Sequence, residues 1–350
     1  MAREGPLSGG RAGSRRWPAE WEPHAAVWLA WPHALETWPG RLEGVERVYV
    51  EMIRALQGRT AVFVGVDSEP RAARARRLLR DQGVNPSVGV EFALLPTDDA
   101  WLRDTGPVFV WRGEEPLALD FRFDSWGGKY PPWDLDDRVA GRLAAHMGVP
   151  VERVASVLEG GSIEGNGAGL VMTTESCLLH PNRGVGRDRS TLEGLLHDRL
   201  GAEQVLWLAG GIAGDDTDGH IDDVARFVAP DTVVAAVESD PSDPNYAVLQ
   251  ENRSRLGLLR TAAGAPLRVV EVPMPPALVS AGRRLPASHV NFLLSNGVAL
   301  VPVFGGRSDE RALAILRECL PAFDIVGVPS SDLVVGCGAV HCLTQQVPAS

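Results

Sequence analysis

Short apolar runs alternate with amphipathic stretches along most of the chain. "TAVFVGV" (Thr60 to Val66) has the length and β-branched content of a buried strand. "RAARARRLLRDQG" (Arg71 to Gly83), "LDDRVAGRLAAHMG" (Leu135 to Gly148), "STLEGLLHDRLG" (Ser190 to Gly201) and "DERALAILRECL" (Asp309 to Leu320) repeat their apolar residues at helical spacing. Between such helices, paired apolar runs flank turn residues: at Arg112-Gly113, at Thr174 to Ser176, at Pro230-Asp231 and at Asn296-Gly297. Asn296-Gly297 is the strongest hairpin signal, because both residue types tolerate the left-handed backbone that a tight hairpin turn needs. The pattern predicts a mixed α/β fold. No Pro/Ser-rich linker or composition break divides the chain, so residues 17–350 are expected to form a single domain behind a disordered tail at 1–16.

A second pattern is superimposed on the first. Polar clusters precede apolar strands at "DDAWLRDTGP", "LEGGSIEGNG", "DDTDGHIDD", "ASHVN" and "GCGAVHC", at intervals of roughly 50 to 70 residues, a period typical of a repeated supersecondary unit. Five strand-strand-helix-strand units would fit the length. Were they to close into a ring, the clusters would meet at its axis; α/β proteins in general also place polar loops at strand ends.

Composition narrows the setting. The chain has 350 residues, 45% of them hydrophobic and 23% charged, as in ordinary globular proteins. A net charge of −11 disfavours nucleic acid and anionic membranes as partners and suits a small cation. The opening "MAREGPLSGGRAGSRR" has no apolar core of a signal peptide, and no run reaches the ~18 to 20 apolar residues of a membrane span, so a cytoplasmic location is expected. Four cysteines, Cys177, Cys319, Cys337 and Cys342, are too few and too irregular for a disulfide framework. A homo-oligomer is compatible with all of this.

The clusters hold residues capable of chemistry. In "DDTDGHIDD" (Asp215 to Asp223), a strand would direct His220 and Asp222 to the same side. A calcium loop fails on spacing, since the residue six after Gly219 is Ala225 rather than Glu. Cys337, His341 and Cys342 lack the paired spacing of a four-ligand zinc site, so no metal is expected. Nucleophilic catalysis needs a thiol, a proton-shuttling histidine and orienting carboxylates, which Cys342 and His220 could begin to supply. A cysteine in an apolar stretch is also a common small core residue. Arg103-Asp104 also reads as a strand-end ion pair, Trp101 as core, and the Glu159-Gly160-Gly161 stretch as a turn.

Seven blocks in order, "WPAEWEPHAAVWLAWP", "DDAWLRDTGPVFV", "FDSWGGKY", "LEGGSIEGNG", "GDDTDGHIDD", "RRLPASHVNFLLSNG" and "HCLTQQVP", resemble the agmatine deiminases and the related bacterial peptidyl-arginine deiminases over residues 17 to 348. The resemblance implies the pentein fold, five ββαβ-type units about a pseudo-fivefold axis with the active site at that axis. It implies Cys342 as nucleophile, His220 as acid and base, and Asp104 and Asp222 as the carboxylates that grip a guanidinium. It implies no cofactor. Agmatine and water would give N-carbamoylputrescine and ammonia through an amidino-cysteine intermediate, in putrescine synthesis or agmatine breakdown.

Around that centre, Asp216, then Asp218, are the candidates for pairing the far ammonium of agmatine, with Trp101, Glu159 and Gly338 as further substrate contacts. Two rival readings stand beside it: another guanidine-modifying enzyme, such as a peptidyl-arginine deiminase, and a non-catalytic guanidine-binding protein. The chain departs from the family pattern at Cys337, where a glycine is usual, at Ala339 in place of an asparagine, and at His289 in place of a tyrosine.

Overall fold

The computed structural model describes residues 15–184, 186–261 and 264–349. One unit recurs five times among them: an antiparallel strand pair, then a helix, then a strand returning parallel to the second of the pair. The first has strands Val108–Arg112, Glu115–Arg122 and Val151–Val157 with helix Val139–His146. The second has Ile163–Gly165, Leu170–Thr174 and Gln204–Leu208 with helix Arg189–Leu200. Strands Ala225–Ala229, Thr232–Val237 and Arg268–Pro273 follow around helix Asn245–Leu258. The fourth unit joins Leu293–Ser295, Val298–Val303 and Asp324–Pro329 through helix Arg307–Cys319.

The fifth unit is made from both ends of the chain. The C-terminal strand Thr344–Pro348 pairs antiparallel with His24–Ala30, which continues in parallel to Ala61–Val66 and Val90–Leu94 across helices Leu42–Leu56 and Glu69–Asp81. The pairing anchors the segment just before Thr344. Helix Leu42–Leu56 turns Val45, Tyr49, Met52, Ile53 and Leu56 inward at helical spacing, each fully buried against the Trp28 and Trp31 sheet. At roughly 1.5–3 kcal/mol per large apolar side chain, this packing holds the N-terminal strands in place.

Hydrogen bonding leaves the sheets separate rather than joined into a closed barrel. The hairpins at Arg112-Gly113, Pro230-Asp231 and Asn296-Gly297 form where expected. Asn296 (φ 41°) and Gly297 (φ 81°) both take the left-handed region. The turn expected at Thr174 to Ser176 falls instead at Asn166 to Gly169, because Asn166 Oδ1 accepts from the amides of Ala168 and Leu170 and bends the chain there. Thr174 caps the short helix Glu175–Leu178, its side chain accepting from the Cys177 amide. Arg15–Arg16, expected within the tail, pair with Trp111 and Arg112, while residues 1–14 lie outside the described residues.

Each polar cluster sits immediately before the first strand of one sheet: residues 101–106 before Val108, 159–162 before Ile163, 220–223 before Ala225, 288–291 before Leu293, and 341–342 before Thr344. The recurrence read in the sequence is therefore a structural one.

Candidate active site

All five clusters touch. Asp104 lies on the one-turn helix Leu102–Thr105, where Oδ1 accepts from the Gly161 amide at 2.9 Å and Oδ2 from Trp126 Nε1 at 3.0 Å. His220 Nδ1 is 3.7 Å from Asp104 Oδ1. Cys342 Sγ is 3.7 Å from Asp222 Oδ2, and Asn291 Nδ2 donates to that sulfur at 3.2 Å. Ser288 Oγ donates to the Asp223 carbonyl at 2.7 Å. Gly161 lies among these groups: a β-carbon there would come within 2.6 Å of His220 Nδ1, 2.8 Å of Asp104 Oδ1 and 3.1 Å of Asp222 Oδ2. Three of the four residues expected to do the chemistry thus meet around a position that must lack a side chain, and the fourth, Cys342, stands beside Asp222.

Local backbone explains the convergence. His220 and Asp222 are not on a strand, as the alternation suggested, but at the start of and within the 3₁₀ turn Ile221–Asp223. Asp215 fixes that turn, accepting from the Thr217 amide and hydroxyl with Oδ1 and from the His220 amide with Oδ2. Residues 340–343 also form a turn rather than extended chain, so His341 does not point away from Cys342. Its Nδ1 donates to Asp222 at 2.7 Å, bringing both neighbours to the same carboxylate. The Arg103 amide donates to the Cys342 carbonyl at 3.1 Å, tying the first cluster to the last.

The electrostatics are strongly polarised. Burial pushes the Cys342 thiol well above its ordinary range, and the carboxylates of Asp222, Asp223 and Asp104 push it further. Burial would lower His220, but Asp104, then Cys177 and Asp222, outweigh it and raise the imidazole well above its usual value. Asp104 is raised, by burial first. Asp222 is lowered: burial opposes ionisation, but the hydrogen bond and charge of His341, then His220 and Arg226, prevail. Asp222 Oδ1 and His220 Nε2 are buried without a hydrogen-bond partner. Asp223 Oδ1 and Glu159 Oε2 are likewise buried without a partner, so the site has excess negative charge and several carboxylate oxygens with no donor.

The outer candidates divide. Trp101 is buried, donates from Nε1 to Asp99, and has Gly338 against its ring, where a β-carbon would stand 2.4 Å from it. Asp216 accepts from the Tyr130 hydroxyl at 2.5 Å and remains partly exposed. Asp218 is already saturated, by Lys129 at 2.8 Å, Asn182 at 2.8 Å and Arg183, which outweigh burial and lower it to about 2. Glu159 is fully buried; Oε1 accepts from Arg183 Nε at 2.8 Å and Oε2 has no partner. Its carboxylate, Cys177 and His220 have ligand atoms within 4.8 Å of one another, the one such metal-capable trio among the described residues. The Arg183 guanidinium supplies the positive charge beside it.

His289 lies outside the site, bonding the Pro302 carbonyl at 2.9 Å, and Ala339 is buried. Cys337 has φ 67° and faces Asp216 and Arg283; burial, then Asp216, pushes its thiol up to about 12. Trp126, Asn291 and Glu20 are site residues that sequence reasoning did not single out, and His341 was weighed only as a metal ligand, although all four lie inside the seven blocks. The open cleft lined by Trp17, Pro18, Glu22, His24, Arg103 and Gln346 contains none of the four reacting residues.

With this fold and this site, residues 16–348 match the family of Porphyromonas-type peptidyl-arginine deiminases, and the chain belongs to that family. A Yersinia pestis protein named "Putative agmatine deiminase" is 35% identical over 360 residues, covering 95% of each chain. Among solved structures, the agmatine deiminase of Enterococcus faecalis superposes with TM-score 0.90 at 33% identity over 96% of both chains. The substrate-bound agmatine deiminase of C. jejuni gives TM-score 0.86 at 29% identity over 98% of both. The α/β fold is thus that of the pentein-type deiminases.

Proposed function

We propose that this protein hydrolyses the guanidinium of agmatine to N-carbamoylputrescine and ammonia. The observation that carries the reading is the meeting of His220, Asp104 and Asp222 around Gly161, with Cys342 beside Asp222. A planar cation there can donate to both carboxylates, with Asp222 Oδ1 as a ready acceptor; charge-assisted bonds of this kind are each worth roughly 1.5–3 kcal/mol. The five sheets are read as surrounding a pseudo-fivefold axis that ends at this point, within one catalytic domain over 17–350.

The cation also changes the thiol. Three carboxylates disfavour a thiolate at Cys342 in the free protein, and a bound guanidinium offsets that charge. Cys342 loses its proton to solvent as the cation binds, His220 being already protonated, and the thiolate attacks the central carbon to give a neutral tetrahedral adduct. His220, already protonated, gives its proton to the departing nitrogen, and ammonia leaves an amidino-cysteine. Neutral His220 then takes a proton from water, which attacks the same carbon. Collapse breaks the C–S bond, the adduct's hydroxyl proton passes to the departing sulfur, and the ureido product leaves with Cys342 a thiol and His220 protonated as at the start.

Agmatine is favoured over arginine within a peptide because the reacting groups are deeply enclosed, with Cys342 8% and Asp222 0% exposed, which leaves little room for a flanking backbone. Partly exposed Asp216 suits the far ammonium. The names carried by the relatives and solved neighbours point the same way. Four free cysteines among the described residues, and the absence there of any helix long and apolar enough to cross a membrane, accord with a cytoplasmic enzyme.

A guanidine panel scored for ammonia tests this. Agmatine should outpace free arginine and arginyl peptides, and Cys342→Ser should lower turnover by at least about 10³-fold. Turnover on peptides alone would overturn the substrate assignment, and a fully active serine variant would overturn the nucleophile.

A further inference from the structure

Behind Asp222 lies a line of buried charges that the reaction above leaves unused. His341 bonds Asp222 Oδ2 through Nδ1 at 2.7 Å and Glu20 Oε2 through Nε2 at 2.8 Å, with 2% of its side chain exposed. Glu20 comes from the segment ahead of the first long strand. It also accepts from the Leu294 amide at 2.8 Å and pairs with Arg226 at 2.8 Å and Arg103 at 3.5 Å. Arg226 reaches on to Glu164 at 2.8 Å and the Phe292 carbonyl at 2.6 Å. A residue at one end of the chain is thereby tied to the residue beside the nucleophile at the other.

The donors and acceptors determine the charge. An ionised carboxylate only accepts, so an imidazole held between two of them must carry a hydrogen on each nitrogen and be cationic. Both acids favour ionisation: burial opposes it, but Arg226 and His341 overcome this at Glu20, as His341 does at Asp222. The clamp takes one oxygen of Asp222 and leaves Oδ1, buried and without a partner, as the remaining acceptor.

We propose that His341 is a positioning residue, itself held by Glu20, whose grip on Asp222 Oδ2 keeps that carboxylate ionised and turned so that Oδ1 is offered to the substrate cation. The proposal rests on the functional reading in taking Asp222 as the guanidinium acceptor. A purely structural ion pair would support folding without moving the pH dependence of kcat/KM. The charged groups about this line are Asp104, Arg103, His220, Asp223, Arg226, Glu164 and the Cys342 thiol, all retained in the variants below.

The test has two arms on the full-length protein. In ¹⁵N-histidine NMR of the substrate-free wild type at pH 7, with His341 assigned by difference from His341→Gln or His341→Asn, both ring nitrogens should be protonated; a neutral tautomer overturns the clamp. In the kinetic arm, His341→Gln lowers kcat/KM for agmatine by roughly 10- to 100-fold, the range found when an outer partner of a site ligand is lost. Because His341 helps hold Asp222 low, its removal raises that carboxyl, and the acid limb of kcat/KM moves to higher pH. Glu20→Gln moves the limb the same way, and the double variant loses no more than His341→Gln alone. A folded His341→Gln with an unmoved acid limb, or fully additive losses, overturns the proposal. If the variants melt below assay temperature, the wild-type tautomer, assigned by residue-specific labelling of the remaining histidines, decides alone. A wild type that turns over no guanidine removes the functional reading, while the NMR result still decides the clamp.

Discussion

Gly161 is the residue at which the whole site becomes a geometric statement. Its missing side chain leaves the space shared by His220, Asp104 and Asp222, so Gly161→Ala must displace one of them by several tenths of an ångström or more. We expect Gly161→Ala to lower kcat/KM by at least about 100-fold, consistent with the sensitivity of catalysis to ~1 Å misplacement, while a thermal melt shows a folded protein. Cys342 supports a second expectation. Its thiol is raised by burial and by Asp222, Asp223 and Asp104, so neutral reagents should modify it slowly near pH 7 and faster as pH rises. Chloroacetamidine, a cation, should inactivate the protein at least about tenfold faster than chloroacetamide, read as the ratio of second-order constants. Asp222→Asn should erase most of that ratio; an equal rate for the two reagents would contradict the charge argument.

Turns, more than strands or helices, separate what the pattern of residues foretold from what formed. Asn296-Gly297 was legible because a tight hairpin demands left-handed backbone at both places and this dipeptide supplies it. Gly297→Ala, at φ 81°, should cost about 1 kcal/mol and lower Tm by roughly 2 °C in a calorimetric scan, with activity intact. The alternation of His220 and Asp222 suggests a strand, but two-residue alternation also occurs in short turns, where side-chain caps decide the path. Asp215, 5 residues before His220, is the cap in question. In the same way, His341 on a strand would face away from Cys342, whereas in the turn at 340–343 both reach Asp222.

Across the molecule, the repeated unit places one polar cluster ahead of each sheet, and folding gathers five distant segments into one charged interior. Such an interior makes stability depend on pH. Asp136, buried beside Asp98 and Asp99, is raised from 3.8 to about 8, mainly by burial. The native state therefore binds this proton more tightly than the unfolded chain, so the group's contribution is complete below pH 3.8 and is lost as pH rises towards 8. Asp136→Asn, which keeps the acceptor oxygen for the Asp98 and Asp99 amides, should flatten the fall in Tm between pH 5 and pH 8 by a few degrees, seen in paired melts. An unchanged slope would show that Asp136 stays ionised.

The sequence by itself determined the mixed α/β class, the periodic polar clusters, the hairpin at Asn296-Gly297 and, through the order of its seven blocks, the four residues that meet in the site. The first three are properties of local pattern and residue chemistry; the four site residues came from the family resemblance that the blocks carry. Only the tertiary structure decided that Asp218 and Glu159 are bonded by Arg183, that Trp126 and Asn291 bond Asp104 and Cys342, and that Glu20 reaches His341 across 321 positions. Each of these is a pairing between segments far apart in the chain. Whether a carboxylate is free for a ligand depends on which donors the fold brings to it, and residue spacing does not contain that information.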